Sequence, residues 1–297
     1  MSGCRFTVAR TAAEAVAGLA EADGEAHIIA GGVALVLLMN EGLLQPSWLI
    51  DVSRAAELQG IDVADDGAIR IGAAVTHREV AASARLASVC PMLAEMAAEI
   101  ACGRVMNRGT VGGSICLADP QGDPPAALLA LDATFRLAGP EGGRDVAARD
   151  FFRDLYVTAL TENELLQHVR IAPPPTAHRG TAFGKYAARQ AMDYASTVSA
   201  AVSLARDPAD GSMSDIGLGL GGCGTIPVWP QKTEAALRGR RPDTEAFAAM
   251  RAALAEETAP IGDMLYSADY KRHVAAVILE RTIKAAYRRA GGGGPDP

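Results

Sequence analysis

Two short stretches carry the residue types with the plainest chemical use. "AGGVAL" spans residues 30–35 and "NRGTVGGSI" spans 107–115, and each sets adjacent glycines among apolar residues. Glycine in a regular element costs roughly 0.5–1 kcal/mol relative to alanine, so such clusters persist where something approaches the backbone closely. Successive N–H groups unobstructed by a Cβ form a concave anion site, and a helix N-terminus adds favourable partial charge. Two such loops converging would hold the two halves of a pyrophosphate. Neither fits G-x-G-x-x-G, and no G-x-x-x-x-G-K-[ST] occurs in the chain. Each double glycine could equally be a tight turn. Asp119 and Asp123, in "LADPQGDPPAALLALDA", could serve a ligand or cap the helix that follows. Lys185 and Tyr194 read by pattern as strand-surface residues.

The elements that must position these groups follow from periodicity. "HIIAGG", "VALVLLMNEG" and "SWLIDVS" make a compact β–turn–α–β unit over residues 26–53, with Gly42 stopping the helix. "AIRIGAAV" is a strand, and Thr76 and Glu79 stand in capping-box spacing ahead of a short helix. Pro91 opens the amphipathic "PMLAEMAAEIAC", and "GDPPAALLALDA" is a second proline-started helix. The strand "TFRLAG" follows, then a strand in "ENELLQHVRIAPPP" that three prolines end as a rigid connector. Beyond it the strands "TAFGKYAAR", "STVSAAVSLAR" and "SDIGLGLGGCG" precede the helices "TEAFAAMRAALAEE" and "SADYKRHVAAVILERTIKAAYRR". Strands followed by helices indicate a separate α+β domain. The expected organisation is an α+β protein with an α/β N-terminal part. It comprises a domain over 1–175, itself divisible near residue 60, a domain over 176–290, and a disordered tail over 291–297. No internal repeat is visible.

Composition narrows the function classes. With 297 residues, 49% of them hydrophobic, the chain can bury a sizeable core, and 5% aromatic content implies that small aliphatic side chains build it. A net charge of −7 with no basic run argues against a nucleic-acid footprint. The longest apolar runs, such as "VALVLLM", fall far short of the roughly 18–20 residues that span a bilayer. The N-terminal stretch lacks a basic segment followed by an apolar core, so a cytoplasmic protein is expected. Cys4, Cys90, Cys102, Cys116 and Cys223 are scattered, with no C-x-x-C pair and no histidine spaced as a co-ligand. Reduced thiols are the expectation, with no metal held by this chain's own residues.

Seven segments, in order along nearly the whole chain, carry a resemblance. They are "IIAGGVALVLLMNEGLLQPSWLIDVSRAAELQGI", "IRIGAAVTHREV", "NRGTVGGSICLADPQGDPPAALLALDA", "ENELLQHVRIA", "FGKYAARQAMDYASTVSAAVSL", "LGLGGCGTIPV" and "SADYKRHVAAVILERTIKAA". Together they resemble the FAD-binding medium subunit of molybdenum hydroxylases, the carbon monoxide dehydrogenase and xanthine dehydrogenase group. The third is the most specific, similar to N-R-G-T-[IV]-G-G-[NS] followed by an aspartate–proline pattern. The resemblance implies a PCMH-type FAD-binding domain followed by a C-terminal domain of carbon monoxide dehydrogenase flavoprotein type. Carried over by position, Ala30, Gly31, Gly32, Val33, Ala34 and Leu35 would line the first FAD loop. Thr110, Val111, Gly112, Gly113 and Ser114 would form the second, with backbone amides on the diphosphate. Asp123 matches an aspartate that binds the cofactor, Leu166 and Lys185 match cofactor-contacting positions, and Tyr194 matches a tyrosine near the isoalloxazine ring.

The chain departs from the family pattern at Val33-Ala34, where a polar pair is usual, and at Ser114, where asparagine is commoner. Losing one charge-assisted hydrogen bond to a phosphate costs about 1.5–3 kcal/mol unless replaced. The function implied is electron transfer. A small partner with two [2Fe–2S] clusters would pass electrons to FAD here, a large partner would hold the molybdenum cofactor, and an external acceptor would receive the electrons. A heterotrimer or a dimer of heterotrimers is implied, and no acid–base residue is assigned to this chain. Two other readings stay open: a stand-alone flavin oxidoreductase of the same fold, like the cell-wall enolpyruvyl reductase, and a non-catalytic nucleotide-binding module.

Overall fold

A computed structural model describes residues 3–173, 179–188 and 195–291. Tyr194, the Pro174–Pro175 end of the expected boundary and residues 292–297 of the expected tail lie outside the described residues. Strand β1 (Arg5–Val8), helix α1 (Ala12–Ala22), β2 (Ala26–Ile29), α2 (Val33–Asn40) and β3 (Trp48–Asp51) form the first unit. Its three strands are parallel in the order β1-β3-β2, with Ile28 opposite Ile50. Gly42, at φ 70°, lies just beyond α2, where a left-handed residue ends the helical path.

A second unit begins with β4 (Ile61–Val63) and β5 (Ile69–Gly72), followed by six helices: α3 (His77–Ala82), α4 (Ala84–Val89), α5 (Pro91–Ala98), α6 (Gly103–Arg108), α7 (Val111–Leu117) and α8 (Asp123–Ala130). It continues through β6 (Thr134–Gly139), β7 (Gly142–Ala147), α9 (Ala148–Phe151), the small hairpin β8 (Phe152–Asp154) and β9 (Val157–Thr158), and β10 (Leu165–Ile171). An antiparallel sheet runs β4-β5-β10-β6-β7. The capping box is present: the Thr76 hydroxyl accepts from the Glu79 amide while the Glu79 carboxylate accepts from the Thr76 amide. Phe135 and Phe151 meet edge to face at 4.8 Å, among the few aromatic anchors in a core otherwise filled by Ala, Leu, Ile and Val.

The third unit packs β11 (Arg179–Tyr186), β12 (Val198–Arg206) and β13 (Met213–Gly221) into an antiparallel sheet. Helices α10 (Gln231–Leu237), α11 (Thr244–Glu257) and α12 (Ala268–Ala290) follow, and a separate apolar cluster joins Val202 and Leu218 of the sheet to Leu279 and Ile283 of α12. The other face of this sheet meets the second unit. A Cβ at Gly217 or Gly219 of β13 would overlap the carbonyl oxygens of Ala130 or Ala126 on α8, so the helix backbone lies directly on the strand. Arg289 of α12 ties the units again, with a two-pronged ion pair to Glu95 of α5 and a hydrogen bond to the Thr181 carbonyl at 2.7 Å. Such a fork adds direction as well as attraction.

One expectation fails in detail. The stretch 107–115 reads as a loop, yet the structure makes it the junction of α6 and α7, with Gly112 and Gly113 inside the first turn of α7. The Thr110 side chain caps that helix by accepting from the Gly113 amide at 3.1 Å. Gly112 abuts Ala73, whose Cβ would stand 2.6 Å from any Cβ added there. The glycine serves a close helix–strand approach.

Candidate functional site

The β2–α2 turn is half-buried, and the helix it opens has no side-chain cap. Gly32 takes a left-handed conformation at φ 74°, which only glycine adopts without strain. Among the described residues, the amides of Val33, Ala34 and Leu35 have no acceptor. These are the orphan donors of a helix N-terminus, and their partial positive charge faces outward. Val33 and Ala34 offer no polar side-chain atom there, so any anion at this turn is held by backbone alone.

The second glycine segment is brought against the first. A Cβ on Gly31 would overlap the Arg108 carbonyl oxygen and stand 2.6 Å from its carbonyl carbon. The segment is itself stitched to residues 73–77: Gly112 donates to the Ala73 carbonyl at 2.8 Å, Val111 to the Val75 carbonyl at 2.9 Å, and His77 to the Gly109 carbonyl at 3.0 Å. The Ser114 amide donates to the Thr110 carbonyl at 3.0 Å. The amides of Val111 to Ser114 are thus already engaged inside the chain. Within the chain the first segment therefore presents free N–H groups, and the second forms a fixed wall beside them.

That wall has a buried support the sequence reading missed. His77, 1% exposed, lies with Nε2 2.9 Å from the Ser114 hydroxyl, and its ring fills the space left by the missing Cβ of Gly109. Nδ1 has no partner, so the Nε2–H tautomer is favoured: a buried bare nitrogen is cheaper than a buried unmatched N–H. Burial holds the imidazole neutral, its pKa lowered from 6.5 to about 4. Below pH 6.5 the unfolded chain takes up a proton that the folded chain refuses until about pH 4, so stability falls as pH drops through that window. In urea unfolding, His77→Gln should flatten this acid dependence, and His77→Ala should cost about 1–3 kcal/mol at neutral pH. An unchanged pH profile in His77→Gln would rule the assignment out. The cue in the sequence was "THRE", a histidine at the first position of a capped helix two residues after a strand-like run.

A second cluster lies one short helix away. The α5–α6 junction supplies the Glu99 and Ile100 carbonyls, which accept from Lys185 Nζ at 3.1 and 3.5 Å. From there α6 runs to Arg108, about 9 Å for its six residues. Lys185 also donates to Asp123 Oδ2 at 2.7 Å, and the Ser196 hydroxyl donates to Asp123 Oδ1. Asp123 is fully buried and Lys185 is 6% exposed at its side chain, so neither is the helix-cap nor the strand-surface residue that pattern allowed. Gly122 occupies the cap position of α8, and Asp119 accepts from the Gln121 amide within the preceding turn. Burial pushes the Asp123 carboxyl up to about 6 even though Lys185 and Ser196 pull it down. Burial likewise raises Glu99, against the pull of Lys185.

The aspartate–proline run is docked onto the third unit by its backbone. The Gly222 amide donates to the Pro120 carbonyl at 2.7 Å and the Ser196 amide to the Gln121 carbonyl at 3.0 Å. Ser196 is the second residue that sequence reasoning missed, and nothing in "ASTVSA" marks it out. Leu166 stays in the core of the five-stranded sheet, 2% exposed and opposite Leu137. Among the described residues, no group of three or more His, Cys, Asp or Glu side chains is arranged to hold a metal ion, and no helix is long and apolar enough to cross a membrane.

Comparison with known proteins joins these observations. Residues 2–174 match the family described as the FAD-binding domain in molybdopterin dehydrogenase, and residues 182–286 match the carbon monoxide dehydrogenase flavoprotein C-terminal domain. The chain is 35% identical to the carbon monoxide dehydrogenase medium chain of Afipia carboxidovorans, over 95% of this chain and 96% of that one. It is 28% identical to the xanthine dehydrogenase FAD-binding subunit of Escherichia coli O157:H7, over 96% of each. Its fold superposes on a chain of carbon monoxide dehydrogenase from Hydrogenophaga pseudoflava with a TM-score of 0.91 at 34% identity, covering 96% of this chain and 98% of the other. The free amides at α2, the wall set against them and the buried Asp123–Lys185 pair therefore sit in a protein that belongs to the family of FAD-binding medium subunits of molybdenum hydroxylases.

Proposed function

We propose that this chain holds FAD with its diphosphate at the N-terminus of α2 and relays electrons through it between partner subunits and an external acceptor. The observation that carries the reading is the uncapped α2, whose free amides at Val33, Ala34 and Leu35 stand beside a wall that only a residue without a Cβ at position 31 lets come so close. The fit is one of charge and space. A diphosphate needs donors and close backbone approach, and both are present without a charged side chain. Bound FAD supplies the one- and two-electron redox chemistry.

The chain's own residues bind, orient and shield. Ala30 to Leu35 line the first loop, with the amides of Val33, Ala34 and Leu35 as its donors, and Thr110 to Ser114 form the opposing wall, held by His77. Asp123 and Lys185, as a buried ion pair, support the rest of the cofactor's site from beneath, and Tyr194 is assigned to that site by the family resemblance. Leu166 supports that surface from within the sheet. The electron donor is a small [2Fe–2S] subunit and the hydroxylating site is on a large molybdenum subunit, in a heterotrimer or a dimer of heterotrimers. The medium chains and FAD subunits to which this chain is similar support that assembly.

Acid release and chromatography of the cofactor from the chain, purified alone and again with its co-expressed partners, test the reading. Near-stoichiometric FAD in the assembled complex is the expected result, and a flavin-free complex with all subunits present would end it. Because the first turn holds the diphosphate through backbone alone, Ala34→Ser should tighten FAD. One added hydrogen bond to a charged group is worth about 1.5 kcal/mol, or roughly tenfold in Kd. Unchanged affinity on titration would place the diphosphate elsewhere.

A further inference from the structure

Arginines of the second unit are commonly paired. Arg70 meets Asp62, Arg85 meets Asp65, Arg144 meets Glu164 and Arg149 meets Asp132. Around α6 this pairing lapses. Arg78, Arg104 and Arg108 are exposed, and among the described residues none of them has a carboxylate partner. Arg104, Asn107 and Arg108 stand at i, i+3 and i+4, so they share one face of the helix, while Met106 turns into the core. Arg78 is tied to that face by its Nε, which donates to Asn107 Oδ1 at 3.0 Å. Glu79, beside Arg78 in sequence, is taken up by the Thr76 amide and hydroxyl at 2.8 and 2.6 Å. Like charges at i and i+4 repel and weaken a helix, and a chain of net charge −7 has acids to spare for offsetting them. The guanidinium groups are instead gathered on one face and left open.

We propose that this face of α6 docks an acidic patch on the electron-donating [2Fe–2S] subunit of the complex; this rests on the function proposed above. Position selects the partner. α6 begins beyond the Glu99 and Ile100 carbonyls that hold Lys185, and its last carbonyl, that of Arg108, meets Gly31. The helix therefore runs along the edge of the proposed cofactor site from one cluster to the other. A protein seated on its outward face lies beside the flavin it must reduce. Charge selects the patch: unpaired cations on an acidic chain attract carboxylates, and complementary charge steers encounter and fixes orientation. Shape disfavours a small anion, because the outer face of a helix is convex and small ligands bind in concave sites. A nucleic acid calls for a broader basic footprint than α6 offers on a chain of net charge −7.

The test is co-expression of the tagged chain, carrying Arg78→Glu and Arg104→Glu together, with its partner subunits. Arg108 stays in place because its carbonyl belongs to the cofactor wall. The complex is captured on the tag, washed at about 0.1 M and about 1 M salt, where the Debye length is about 10 Å and about 3 Å, and read by subunit ratio. At the lower salt, retention of the iron–sulfur subunit should fall by about tenfold or more in the glutamate pair. It should fall less in Arg78→Gln with Arg104→Gln, and high salt should bring the wild type toward the variants. Glutamate and glutamine have similar helix propensities, so a merely structural role would not separate them. The melting temperature of each variant chain alone is the folding check, and the glutamine pair carries the test if the glutamate pair melts lower. Wild-type retention in the variants overturns the proposal, as do equal losses in the two pairs at both salt concentrations. So do loss of the molybdenum subunit alone, loss of flavin with the iron–sulfur subunit retained, or a gel shift of duplex DNA that the variants abolish. Subunit ratio is read without reference to flavin, so a flavin-free wild-type complex would sink the proposed function and leave this result standing on its own.

Discussion

Gly31→Ala is expected to empty the cofactor site. The added Cβ overlaps the Arg108 carbonyl oxygen and comes within 3.2 Å of the Gly109 nitrogen, and both obstacles are backbone. No side chain can swing aside, so relief requires the β2–α2 turn to move away from the α6–α7 junction. That junction resists, because residues 109–112 are bonded to residues 73–77 and His77 clamps Ser114. Overpacking of this kind costs about 1–3 kcal/mol of stability. The larger effect is on binding: separating the free amides of α2 from their wall by a fraction of an ångström lengthens every contact to a diphosphate. FAD affinity should fall on the order of a hundredfold, about 2.7 kcal/mol. Gly103→Ala is the control. It sits at the first position of α6, meets only the end of the Arg78 side chain at 3.5 Å, and should be neutral or stabilising by up to ~1 kcal/mol. Isothermal titration of FAD into the assembled complex, with wild-type affinity in Gly31→Ala, would refute the two-loop site.

Lys185→Met should be the most destabilising single change at the site, by about 3–5 kcal/mol, because it strands a fully buried carboxylate. The sign of its pH dependence is the sharper signature. In the wild type, burial already holds Asp123 at about 6, above its ordinary 3.8. Between those values the folded chain binds a proton that the unfolded chain has lost, so this group's contribution to stability declines as pH rises through the window. Removing Lys185 removes the principal charge that lowers the carboxyl, extending the window into neutral pH. The deficit of Lys185→Met should therefore be smaller at pH 5, where Asp123 is protonated, and larger at pH 8, where it must stay charged or unfold the site. Lys185→Met combined with Asp123→Asn should recover much of the loss and abolish that trend. Urea unfolding at the two pH values decides it, and equal deficits would mean that Asp123 and Lys185 do not form the pair described.

What the sequence determined by itself was local. The Thr76–Glu79 capping box, the proline starts of α5 and α8, the end of α2 before Gly42 and the end of β10 before the prolines all depend on residues within one helical turn of each other. Two glycine segments and one Asp–Pro run could be marked as places of close approach, and ordered resemblance along the chain named a family that comparison then established. Only the tertiary structure decided what each approach was for. Gly31 meets the Arg108 carbonyl, Gly112 meets Ala73, and Gly217 and Gly219 receive the backbone of α8, so three similar patterns serve one approach of a turn to a helix junction and two packing contacts between elements. Asp123 stands where a helix cap is common, yet it turns from that role to a lysine 62 residues away and a serine 73 residues away. Pattern cannot foresee such choices, because the partners of a buried charge or a missing Cβ are set by which distant backbone folds against it. Propensity ends at the next turn, whereas desolvation and steric exclusion act on whatever the fold brings into contact.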